Sequence, residues 1–133
     1  MKWLYYFCLL FVTIGYSQDT ITPIKIKETP LNADQLVGID NFDTKYYLKG
    51  NIFYKKTPNG SLNYSNVQLG HLTSANTFNP LKMVLFYQNF NTVVILDNRL
   101  AEVYKIDFNT TQPYRNITHV SSGNDNTLWV FNS

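Results

Sequence analysis

LKMVLFYQNFNTVVILDNRLAEVYKIDF, residues 81–108, breaks into three strands and two turns. Residues 81–88 are an almost unbroken apolar run, Asn89-Phe90-Asn91 is a turn, and Thr92–Leu96 is a second apolar run. Asp97-Asn98-Arg99 turns the chain again, into the more polar Leu100–Phe108. Val, Ile, Tyr, Phe and Thr fit a pleated, packed surface. Strands apolar at every position are covered on both faces, whereas strands that alternate keep one face in water. Met83–Tyr87 and Val93–Leu96 are of the first kind. Glu102, Lys105 and Asp107 make Leu100–Phe108 an outer strand, where charge discourages edge-to-edge pairing.

Upstream, His71–Phe78 carries the small side chains Thr73, Ser74 and Ala75 before the breaker Asn79-Pro80. A strand of small residues, two apolar strands and a polar one match the needs of a β-propeller blade. Its first strand is crowded near the axis, its middle strands lie between neighbours and its last lies on the rim. Leu36–Asn63 gives a first sheet of the same kind. Its strands are Leu36–Ile39, Lys45–Lys49, Ile52–Lys56 and Ser61–Ser65, with turns at Asn41–Thr44, Gly50-Asn51 and Thr57-Pro58-Asn59-Gly60. After a linker, Asn109–Arg115, Ile117–Ser121 and Thr127–Asn132 begin a third sheet.

The second strands of the three sheets, Tyr46–Leu48, Val84–Phe86 and Leu128–Val130, are spaced about 38 and 44 residues apart, as blades are. A rival register aligns Asn41-Phe42-Asp43-Thr44, Asn89-Phe90-Asn91-Thr92 and Asn124-Asp125-Asn126-Thr127, with uneven spacings of about 48 and 35. The first is preferred because it gives each complete sheet four strands. The expectation is an all-β chain of antiparallel four-stranded sheets arranged as about two and a half blades of an incomplete β-propeller over residues 36–133. A single compact β-sandwich is the alternative. Propellers close with four to eight blades. The chain therefore reads as the N-terminal part of a longer protein, with blade faces left open for self-association.

Residues 1–17 read as a secretory signal peptide, with Lys2 as its positive start, Trp3–Ile14 as its apolar centre and cleavage before Gln18. The apolar run falls short of the roughly 20 residues of a spanning helix. No transmembrane segment is expected after cleavage, and the destination is periplasm, cell surface or medium. The only cysteine, Cys8, lies within this segment, so the mature chain has no disulfide and no thiol chemistry. Residues 18–35 form a lead-in, in which the alternation of Ile24 and Ile26 with Lys25, Lys27 and Glu28 predicts a short edge strand between Pro23 and Pro30. Asn32-Ala33-Asp34 is read as loop.

The net charge of +2 falls towards zero once Lys2 is removed, and Lys25/Lys27 and Lys55/Lys56 are pairs rather than runs. Binding of nucleic acid by a charged face is not expected.

The block Asn79–Asn109 resembles secreted propeller-like proteins of Bacteroidetes, flavobacteria in particular. The residues that carry the likeness are Asn79-Pro80-Leu81-Lys82, Val84-Leu85-Phe86-Tyr87 and Asn91-Thr92-Val93-Val94-Ile95-Leu96-Asp97-Asn98-Arg99-Leu100. The segment ending Tyr16-Ser17-Gln18 is similar to their signal peptides. The resemblance covers most of the mature chain and implies a propeller fold, export and a missing C-terminal half. It implies no activity.

Candidate chemistry is sparse. His71 and His119 are assigned to innermost strands facing one axis, but no third ligand stands at matched spacing for a metal. Asp40, Asp43, Asp97 and Asp107 sit at turns or on an outer strand and read as turn caps rather than as a glycosidase pair. Asn124-Asp125-Asn126 lacks the glycine and distal Glu of a helix-loop-helix calcium site. There is no phosphate-binding glycine loop, no G-x-S-x-G and no cysteine nucleophile. No catalytic, cofactor-binding or metal residue is therefore assigned, and no cofactor is expected.

Tyr46, Tyr47, Phe53, Tyr54, Phe86, Tyr87, Tyr104 and Trp129 are strand residues and read mainly as core. A few tyrosines are candidates for a sugar- or protein-binding surface. Asn63, Asn109 and Asn116 begin N-x-S/T triplets and read as polar turns. The functional expectation is an exported, non-enzymatic binding or scaffold module with a protein partner. A carbohydrate-binding sandwich, or part of an enzyme whose site lies in missing blades, is the alternative.

Overall fold

The computed structural model describes residues 21–125 and 127–133. Residues 1–17, read from the sequence as a signal peptide and including Cys8, lie outside the described residues, as does Asn126. The chain divides into two units, Met1–Pro30 and Leu31–Ser133. In the first, residues 21–30 contain no strand. The edge strand expected at Ile24–Glu28 does not form. Ile24 and Ile26 are 85% and 96% exposed, so the alternation has no sheet to bury it. Lys25 pairs with Glu28.

The second unit is all-β and takes in the end of the expected lead-in. The Asp34 amide donates to the Leu48 carbonyl (2.8 Å), and the Asp34 carboxylate accepts from the Gly50 amide (2.7 Å). These bonds tie residues 31–34 to the first sheet. That sheet is an antiparallel meander of β1 (Gln35–Ile39), β2 (Lys45–Lys49), β3 (Ile52–Thr57) and β4 (Gly60–Tyr64), paired in chain order. The second sheet repeats the plan with β5 (Ser74–Asn76), β6 (Met83–Tyr87), β7 (Thr92–Leu96) and β8 (Glu102–Asp107). The third is a hairpin of β9 (Ile117–Ser122) and β10 (Leu128–Asn132). Among the described residues no helix is long and apolar enough to cross a membrane.

The apolar run reads as it does because the second sheet is the middle layer. Every residue of β6 is buried. Met83, Leu85, Tyr87, Val94 and Leu96 pack on Tyr46, Leu48 and Phe53 of the first sheet. From the other face, Val84, Phe86 and Val93 pack with Ile117, Val120, Leu128 and Val130 of the hairpin. Side chains alternate along a strand, so each middle strand feeds both cores at once.

The rival register is set aside, and the preferred one shifts by one residue in the third sheet. The rival tetrapeptides occupy unlike places: Asn41–Thr44 joins β1 to β2, whereas Asn89–Thr92 joins β6 to β7. In the third sheet, Leu128 and Val130 face the second sheet. Trp129, not Leu128, is therefore the counterpart of Tyr46 and Val84, one residue later than the spacing predicted.

Candidate functional site

Between the first and second sheets lies an open cleft of about 850 Å³, within the range of small-ligand and peptide sites. The β1 edge, the β1–β2 turn and the β5–β6 connection wall it, and the inner face of β2 and β3 forms its floor. The walls meet at Gly38, where a Cβ would stand 3.0 Å from the Thr77 hydroxyl. Both walls are edges of their sheets, β1 of the first and β5 of the second.

The rim is apolar and exposed. Phe42 and Phe78 are 82% and 75% exposed, and Ile39 and Leu81 are also open to solvent. The floor is polar. Tyr46, itself buried, donates its hydroxyl to Asp40 Oδ2 (3.2 Å). Burial, reinforced by the Asp40 charge and this bond, pushes the Tyr46 phenol up to about 12. Lys55 Nζ donates to the Asn98 carbonyl (2.7 Å) and stands 6.0 Å from the centre of the Tyr46 ring, at the outer reach of a cation–π contact.

Asp40 is the one carboxylate among the described residues lining this cleft. It is built into the turn: Oδ1 accepts from the Phe42 and Thr44 amides, both at 2.9 Å. Desolvation works against its charge, but the amides of Thr44 and Phe42 and the hydroxyls of Thr44 and Tyr46 outweigh it. The carboxyl is held below its ordinary value. An ionised, fully engaged carboxylate positions a turn and accepts hydrogen bonds. It is poorly suited to taking up a proton near neutrality.

The other candidates disperse. His119 lies on β9 and is exposed, whereas His71 falls in the connection before β5 rather than in it, also exposed. The assignment of both histidines to innermost strands is thus corrected for His71. The small-residue strand is only Ser74–Asn76 long. No group of three or more His, Cys, Asp or Glu suited to a metal occurs among the described residues.

Asp97 repeats the Asp40 turn, accepting from the Arg99 and Ala101 amides at 2.8 and 2.9 Å. Asp107 accepts from the Asn109 amide at 2.9 Å, and Asp43 pairs with Lys45 at 3.5 Å. Asn124 and Asp125 are exposed in the β9–β10 loop. Asn63 lies on β4, opposite Tyr54. Asn109 binds the Phe90 carbonyl (2.9 Å), and Asn116 binds the Ser133 hydroxyl (3.0 Å).

Among the aromatics, Tyr46, Phe53, Phe86 and Tyr87 are core. Tyr47 and Tyr54 stack on each other with centroids 5.0 Å apart, which occupies one face of each ring. Sequence did not mark the rim: Phe42 reads as turn, and Phe78 and Leu81, expected within strands, fall instead between β5 and β6. They lie in connections, where no periodicity marks a shared direction.

No protein-family model, curated protein or solved structure matches this chain.

Proposed function

We propose that the chain is an exported, non-enzymatic binding module of β-propeller type. Its ligand is an extended apolar segment of a protein partner, held in the cleft between the first two sheets. One observation carries the reading: the cleft joins an apolar rim of Ile39, Phe42, Phe78 and Leu81 to a floor of fixed hydrogen-bonding groups. Aromatic side chains are enriched at recognition surfaces over the rest of a protein's exterior. The propeller-type arrangement is supported by consecutive meanders, each paired in chain order and each packed on the next. Export rests on the composition of residues 1–17.

The test compares the natural chain with a Phe42→Ser, Phe78→Ser variant on an array of ten-residue peptides that alternate apolar and polar residues. A glycan array is run in parallel. Peptide binding that the variant loses, with its unfolding midpoint unchanged, supports the proposal. Glycan binding lost in the same way transfers the site to the carbohydrate reading. No binding of either kind that depends on the rim overturns both.

A further inference from the structure

The two internal interfaces follow one rule. The forward face of each sheet, Tyr46 and Leu48 in β2 and Val84 and Phe86 in β6, is covered by the sheet that follows. The backward face, Leu85 in β6 and Val130 in β10, packs on the sheet before. Two faces of the Leu31–Ser133 unit keep this character but are uncovered by that unit. On the hairpin, Trp129 and Phe131 stand at the forward positions and are 63% and 58% exposed. They pair across the strands with Ser121 and His119. On the first sheet, Tyr47 stands at the backward position of Leu85. It lies between Leu36 and Tyr54 in the register, and Leu36 is 52% exposed.

We propose that copies of this chain associate head to tail, the Trp129–Phe131 face of one packing on the Tyr47–Tyr54 face of the next. The occupant is a second copy because the chain itself contains both halves of this kind of interface and already mates them twice. The fit requires nothing of a foreign surface. Lys45 and Lys49 flank Tyr47 on β2 where β6 carries Met83 and Tyr87. Their stems can lie along apolar surface with the amines in water. The contact between copies is therefore weaker than the internal ones and responds to dilution. The two faces differ, so the association is heterologous and extends to rings or filaments. It involves no residue of the cleft rim and stands or falls apart from the binding reading.

Sedimentation velocity on protein expressed from the full 133-residue sequence tests it. The sedimentation coefficient is expected to rise with concentration. Trp129→Glu and Tyr47→Glu, each with native circular dichroism, are each expected to abolish that rise. An equimolar mixture of the two restores a dimer and nothing larger, because each variant retains the face the other has lost. Rescue also certifies that both variants fold. A natural chain that stays monomeric at every concentration overturns the proposal. So does a Tyr47→Glu variant that still associates alone, which signifies a symmetric Trp129 contact, and so does a mixture that stays monomeric.

Discussion

Asn91 clamps the backbone at the entry to Ile117 with both ends of its side-chain amide. Its Oδ1 accepts from the buried Ile117 amide at 2.9 Å, and its Nδ2 donates to the Arg115 carbonyl at 2.6 Å. Asn51 does the same one sheet earlier, accepting from the Leu72 amide and donating to the Gly70 carbonyl, both at 2.6 Å. Both asparagines have positive φ, 66° at Asn51 and 48° at Asn91, in the turn after the second strand of their sheet. A turn asparagine thus clamps the segment that leads into the following sheet, and it does so twice. Asparagine suits the place because it tolerates the left-handed backbone and carries both a donor and an acceptor.

Asn91→Ala is therefore expected to destabilise the fold by about 2–4 kcal/mol, since a buried amide loses its partner and alanine strains the left-handed turn. Asn91→Gly loses the same bonds without the left-handed strain, so it is expected to cost about 1 kcal/mol less than Asn91→Ala. Asn51→Ala costs less than Asn91→Ala, because Asn51 is exposed whereas Asn91 is 5% exposed. Urea denaturation of the three variants checks the order. Equal losses at Asn51 and Asn91 would contradict the argument from burial.

The Asp40 and Asp97 turns form a second pair of twins with unequal consequences. Each places a residue three positions on at positive φ, Asp43 at 59° and Leu100 at 62°. Glycine relieves that strain at either site, by about 1 kcal/mol. At exposed Asp43 the glycine also gives up the carboxylate's contacts, the Lys45 ion pair at 3.5 Å among them, which at an exposed site are worth at most about 1 kcal/mol, so Asp43→Gly is expected to be close to neutral. Leu100 is 6% exposed and belongs to the core between the first two sheets. Leu100→Gly forfeits about 2–3 kcal/mol of apolar burial and is expected to lower stability on balance. Thermal melts of the two variants are expected to differ by several degrees, with Leu100→Gly the lower.

The sheets were legible because burial writes itself into strands. The uninterrupted run at Met83–Tyr87 signalled a strand covered on both faces, and it is the middle layer. Charge at Glu102 and Lys105 marked β8 as an outer strand, and it is an edge. The clamps were not legible. Asn51 and Asn91 look like ordinary turn residues, and the groups they bind lie 21 and 26 residues away. The cleft was hidden for a similar reason. Phe42 and Phe78 come from separate connections, and only the stacking of two sheets brings them to one rim. Ile24 and Ile26 show the converse failure: alternation states a preference for a sheet without supplying a neighbouring strand.

Tyr87 is 1% exposed, and its hydroxyl finds no hydrogen-bond partner among the described residues. The nearby Tyr64 hydroxyl donates instead to Glu102. Desolvation, with the Glu102 charge, pushes the Tyr87 phenol up to about 12, and the same burial raises Tyr64. A buried hydroxyl without a partner is a cost the fold carries. Tyr87→Phe removes it and is expected to be neutral or stabilising by up to about 1 kcal/mol. Tyr64→Phe removes a satisfied bond and is expected to destabilise by about 0.5–1.5 kcal/mol. Denaturant midpoints of the two variants on either side of the natural chain would bear this out, and a clear loss in Tyr87→Phe would contradict it.

Asp40 couples the acid and alkaline limits of stability. Its folded-state carboxyl is held below the ordinary value despite desolvation, and that of Asp97 is held down chiefly by the Ala101 and Arg99 amides. A depressed carboxyl contributes stability that is present above its unfolded value of about 3.9 and is lost as pH falls through the folded value. Tyr46 has the opposite sign. Raised to about 12 by burial and then by Asp40, it contributes stability that is present below its unfolded value of about 10 and is lost as pH rises towards 12. Asn in place of either Asp keeps the Oδ1 acceptor of the turn and removes the charge. Asp97→Asn is therefore expected to flatten only the fall in Tm below about pH 4. Asp40→Asn flattens that fall and also softens the loss above about pH 10, because the Tyr46 phenolate no longer faces a carboxylate. Tm measured from pH 2 to 12 on the two variants separates the cases. If Asp40→Asn left the alkaline limb unchanged, burial alone would set the Tyr46 phenol, and the bond across the cleft floor would carry no electrostatic weight.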